Sequence, residues 1–129
     1  MQNQLYTTHI KIALYINFAL KLLHCKQKRL KRIFSGSSAC LIQFLDKHQT
    51  EKILEVELKQ ANLTISCHIN NKKRCSALFL FPDASELVNY ASYFNTHYAY
   101  DFQKKYWILP NGYICIHKGT YSQGFYLYT

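Results

Sequence analysis

The sequence predicts one α+β domain: a mostly antiparallel sheet of about seven strands, in the order α-β-β-β-β-α-β-β-β, with two helices packed on it. Apolar residues recur at helical spacing in two stretches only. Between and after those stretches, short segments alternate at period two or run apolar throughout. Turn residues, not long crossovers, join them, which suits antiparallel pairing. The chain has 129 residues, an ordinary single-domain length, so 1–129 is read as one domain. Apolar residues make up 49% and aromatics 16%, enough for one core and too many for a disordered chain.

The first helix is expected over about 8–34. Thr7 or Thr8 offers an N-cap, and Ile12, Ile16, Ala19, Leu23, Leu30 and Phe34 recur at near-helical spacing. Its first half is apolar nearly all round, which predicts burial against the sheet. Its second half is basic on most sides, which predicts that it projects. Ser35-Gly36-Ser37-Ser38 ends the helix, with Gly36 suited to a left-handed C-terminal position.

Strands are expected between about 40 and 81. Cys40 to Leu45 is a short apolar run. Ile53 to Lys59 and Leu63 to Ile69 alternate, which predicts one buried and one wet face. Asn70-Asn71-Lys72-Lys73 reads as a hairpin turn. Cys75 to Phe81 is apolar on both faces, which predicts a central strand covered on two sides. Pro82-Asp83 opens a second helix over about 83–95, with Asp83 and Glu86 as a capping-box variant. Strands at Lys105 to Leu109, Gly112 to His117 and Gly124 to Tyr128 complete the span 105–128, the first two joined by a turn at Pro110-Asn111-Gly112.

The charge is unevenly placed. The net charge is +9, yet the first acidic residue is Asp46. Lys11, Lys21, Lys26, Lys28, Arg29, Lys31 and Arg32 stand before it, so the first 45 residues carry +7 and the rest +2. A basic run of this kind attracts polyanions without any readout of sequence. The plainer reading is that cations near a helix C-terminus complement its dipole. An acid-free N-terminal third favours the first.

Aromatics crowd the C-terminal third, among them Tyr106, Trp107, Tyr113, Tyr126 and Tyr128, with Lys104, Lys105 and Lys118 between them. Aromatics on a sheet face beside lysines can stack bases, while tyrosine is also a common strand former with an apolar body. The candidate nucleic-acid-binding set is therefore Lys21, Lys26, Lys28, Arg29, Lys31, Arg32, Lys104, Lys105 and Trp107.

Five cysteines without a CxxC pair read as buried thiols in a reducing, cytoplasmic setting. A zinc site from Cys67, Cys75, Cys115 and His117 requires two hairpins to converge. Depending on the loop at Asn70, Cys75 faces Cys67 or His68, and structural thiols are the preferred reading. His97 and His117 are the candidates for acid–base chemistry on RNA. GxSxG, HExxH, P-loop and dinucleotide fingerprints are missing, so no cofactor is expected and an enzyme is disfavoured. Ile12 to Leu23 is too short to span a bilayer and contains Asn17 and Lys21.

The leading expectation is a small non-enzymatic protein that binds nucleic acid or a nucleoprotein through its basic helix. The rival is a protein-interaction module, an inhibitor or immunity protein docking on an acidic partner, of the kind found in phage and mobile elements. The order of helix, strand meander and helix resembles small secretion chaperones, although this chain lacks their acidic character. A metal-independent ribonuclease is the third option.

Overall fold

The alternating and apolar runs form strands close to where the sequence predicts them. The computed structural model describes residues 2–36, 38–43, 52–119 and 123–129. The strands are β1 (Ser38–Gln43), β2 (Lys52–Leu58), β3 (Leu63–Ile69), β4 (Cys75–Pro82), β5 (Ala99–Asp101), β6 (Tyr106–Leu109), β7 (Gly112–Lys118) and β8 (Gln123–Tyr128). They build one sheet in the order β1-β2-β3-β4-β8-β7-β6-β5, and every pairing is antiparallel. The helices are α1 (Gln2–Leu22), α2 (Gln27–Ile33) and α3 (Leu87–His97). Positions 44–45 of the first expected strand lie outside the described residues, as does Tyr121.

Period-two alternation sorts the strand residues onto two faces. Leu54, Ile65, Cys67, Leu80, Phe125 and Leu127 face inward with Ile114 and Trp107, and all are buried. Ile12, Ile16, Ala19 and Leu22 of α1, Leu30 of α2, and Tyr90, Tyr93 and Phe94 of α3 close this single core. The inner-facing ring of Phe94 lies 4.9 Å from Phe125 and 5.2 Å from Trp107. All three helices thus lie on one side of the sheet.

Four expectations are corrected. The helix expected over 8–34 is two helices, and it begins at Gln2, so Thr7 and Thr8 lie inside it instead of capping it. His24 breaks it with a left-handed φ of 67°. The chain from His24 to Gln27 then extends along the start of β4: His24 N donates to Cys75 O at 2.7 Å, Cys75 N to Cys25 O at 2.9 Å and Gln27 N to Lys73 O at 2.9 Å. Pairing with β8 runs only as far as Ala77 opposite Tyr128, so this segment satisfies backbone groups that β8 does not reach.

The Asp83 side chain does not cap α3. It accepts a hydrogen bond from the Ser85 hydroxyl (2.8 Å), and a short 3-10 turn, Ala84–Glu86, precedes α3. A further strand, β5 (Ala99–Asp101), carries no signal of its own and is stitched to β6 across the Asp101 turn. Finally, β4 is central but not covered on both sides: Phe79 and Phe81 point to the face without helices and remain half-buried. Gly36 takes the expected left-handed conformation, φ 85°, after α2.

Candidate nucleic-acid interface

Helix α2 is held by two anchors. Leu30 is fully buried and Phe34, just past the helix, packs its ring edge-on to Phe18 at 5.9 Å. With those two positions inward, Lys28, Arg29, Lys31 and Arg32 are exposed, as are Lys21 and Lys26 on either side of the helix break.

A second basic segment joins them. The β3–β4 hairpin is closed by Asn70, whose side-chain oxygen accepts from Lys72 N (3.0 Å) and Arg74 N (3.1 Å), with Lys73 in a left-handed conformation at φ 59°. Lys72, Lys73 and Arg74 are all exposed. The main chain of Lys26 bridges that of Arg74, and the Arg74 guanidinium donates to His24 O at 3.1 Å. Cations from residues 21–32 and 72–74 therefore share one end of the sheet, and neither segment contains a carboxylate. From the sequence alone the Asn70 hairpin is only a turn. The signal it missed is a backbone pairing between segments about fifty positions apart, which periodicity does not carry.

Three of the expected residues lie elsewhere. Lys104 and Lys105 sit in the β5–β6 turn, which Asp101 closes by accepting from Gln103 N (2.9 Å) and Lys104 N (3.0 Å). That turn is at the opposite end of the strands and at the far edge of the sheet from α2. Trp107 is 3% exposed and its indole N–H donates to Asn95 at 2.9 Å; it belongs to the core and has no free face for a base.

Other rings occupy the place expected of it. On the face without helices, Phe81, Phe79, Tyr126, Tyr128, Tyr113 and Tyr106 form a continuous zigzag across β4, β8, β7 and β6, with successive centroids 6.1, 4.8, 5.0, 5.5 and 4.5 Å apart. His117 stands edge-on to Phe79 (5.0 Å) and Phe81 (5.8 Å). All of these side chains are half-buried, and none belongs to the core under the helices. Gly124 permits the arrangement: a Cβ there would meet Leu80 O and, at 2.9 Å, the Phe81 ring.

Two phenols of this row, Tyr126 and Tyr128, hold their protons more tightly than a free tyrosine. Burial raises Tyr126 and Tyr128 above the usual tyrosine value, and the neighbouring Cys115 adds to both shifts. In the core, burial and then Tyr93 push Tyr98 up to about 12, and burial raises Tyr90 as well. In each case the folded state holds a proton that the unfolded chain releases near its ordinary value of 10.0. Stability is therefore undiminished below pH 10 and falls as pH rises from about 10 towards 12. Urea midpoints measured from pH 8 to 12 check this; a midpoint flat across the upper range contradicts it.

The remaining chemical candidates do not assemble. His97 lies at the end of α3, 4.4 Å from the Tyr93 ring and 6.1 Å from His9, whereas His117 is on the other side of the sheet, so the two cannot act as one acid–base pair. Cys67 and Cys75 point inward and Cys115 and His117 outward, and among the described residues no group of three or more His, Cys, Asp or Glu could hold a metal. Cys75 pairs with Ile69, and Cys67 with Leu78, after a register shift between His68 and Ile69; neither loop geometry expected from the sequence occurs. The Cys67 thiol is raised by its hydrogen bond with Cys75 and by burial, so it is a poor nucleophile. Among the described residues, no helix is long and apolar enough to cross a membrane.

Compared with protein families, with curated proteins and with solved structures, the chain matches none, so its functional reading rests on this geometry.

Proposed function

We propose that this protein binds nucleic acid through the joint basic cluster of α2 and the β3–β4 hairpin, without catalysis. The observation that carries the reading is the merging of two carboxylate-free basic segments at one end of the sheet. A basic run on a helix end alone is accounted for by the helix dipole. That account does not extend to Lys72, Lys73 and Arg74, which lie in a hairpin and not on a helix. Exposed Lys and Arg side chains at this density contact phosphates, position the strand and impose no base preference. Arg29, Arg32 and Arg74 add forked donors suited to phosphate oxygens.

The test is a titration of the whole chain with a labelled oligonucleotide at 50 and 200 mM salt. Counterion release predicts affinity that falls steeply with salt. Affinity that ignores salt, or no binding at 50 mM, overturns the reading and directs the search to an acidic protein partner for the same cations.

A further inference from the structure

We infer that the open sheet face stacks unpaired bases along its aromatic row, so that the nucleic acid bound is single-stranded. This rests on the phosphate-binding reading and adds to it the class of ligand. A sheet with helices on one side must solvate or cover the other. Here the described residues of that other side, between β4 and β6, are chiefly aromatic: six rings in unbroken contact, each with part of its surface exposed. Phenylalanine and tyrosine offer a π-surface that every base can use, which gives affinity without sequence preference.

The row is long enough for more than one base, and its middle passes the basic end of the sheet. Four adjacent strands at about 4.8 Å spacing make it about 14 Å across, room for about two or three unstacked bases, each laid on a ring of its own. It reaches the basic end of the sheet at Tyr128. The next residue, Thr129, meets His24 through its hydroxyl at 3.3 Å, two positions before Lys26. Tyr128 is also paired with Ala77, three positions after Arg74. A strand lying on the rings thus passes, at Tyr128, the end of the sheet that carries the hairpin cations Lys72, Lys73 and Arg74, and the cations of α2 lie around that end on the helix side. A duplex keeps its base faces stacked inside and cannot use the row.

Charge also argues against a second copy of the chain as the occupant. Packing two such faces together brings together two clusters of a chain with net charge +9, at a repulsive cost that a polyanion turns into attraction.

The experiment compares a labelled 12-nucleotide oligo(dT) with a duplex of equal length at 50 mM salt, using wild type, the double variant Y126L/Y128L and its ring-keeping counterpart Y126F/Y128F. The expected result is that wild type and the Phe variant prefer the single strand. The Leu variant loses about tenfold or more in single-strand affinity for each ring removed, with its salt slope unchanged. Ultraviolet cross-linking of wild type to oligo(dT) reads the same question without any variant, and the cross-links are expected on the peptides holding Phe79, Tyr126 or Tyr128. Equal affinity for duplex and single strand, a folded Leu variant that binds oligo(dT) as tightly as wild type, or cross-links confined to other surfaces each overturns the platform while leaving the phosphate reading in place. Self-association abolished by the Leu substitutions, with oligonucleotide affinity unchanged, assigns the face to a second copy and also overturns it. If wild type binds neither nucleic acid, both readings fall together.

Discussion

Changing Lys28, Arg29, Lys31 and Arg32 together to Gln is expected to lower the salt sensitivity of oligonucleotide binding by the share of four phosphate contacts. Each phosphate neutralised on a single strand contributes about 0.7 to the slope of log affinity against log salt. Four contacts contribute about 2.8, so between 50 and 200 mM salt the wild type should lose about fiftyfold more affinity than the variant. The fold should not change, because these four side chains are exposed while Leu30 and Phe34 hold the segment in place. Glutamine also keeps the helix propensity of Lys and Arg. The measurement is a pair of binding isotherms over a salt series, with a thermal melt of each protein as control. A variant with the wild-type slope and an unchanged melt shows that α2 does not touch phosphate.

Phe94→Ala is expected to destabilise the domain by about 3–5 kcal/mol. The side chain is fully buried. Its ring lies between the helix layer and the sheet, within 6.3 Å of Tyr90, Tyr93 and Tyr98 on the helix side and 5.2 Å or less of Trp107 and Phe125 on the sheet side. Removing it leaves a cavity that five rigid rings cannot refill. A domain of this size has about 5–15 kcal/mol in all, so the variant should unfold at a much lower urea concentration. Phe102→Ala is the control: Phe102 is 83% exposed, and its loss should change stability by about 0.5 kcal/mol or less. Similar losses at the two positions would contradict the placement of the core.

Alternation fixed in advance the inward residues of β3 and the hairpins at Asn70 and Pro110, because a period-two pattern and a turn residue are local properties. The break at His24 was not legible. Nothing in the local sequence marks a left-handed histidine there, and the segment that follows it bonds to the side of β4 that β8 does not reach, about fifty positions away. The same non-local pairing hides the basic hairpin's place beside α2. β4 illustrates a different limit. Its apolar character on both faces predicts two covering layers, but aromatic neighbours within the sheet do part of the covering: Phe79 lies against Tyr126 and His117. An aromatic stretch therefore does not distinguish core from surface: Trp107 is buried in the core, and Phe79 is half-buried on the open face. Aromatic composition does not say which face each ring takes; the strand register does.

The most direct test of a single continuous binding surface is an amide chemical-shift titration of the full chain with oligo(dT). A single surface predicts shifts in one connected region: residues 24–33, the hairpin 70–75, and the open-face positions of β4, β8 and β7, with Val88 and the β5–β6 turn at Lys104 and Lys105 unaffected. Shifts centred on that distant turn, or on the exposed side of α3, would contradict it.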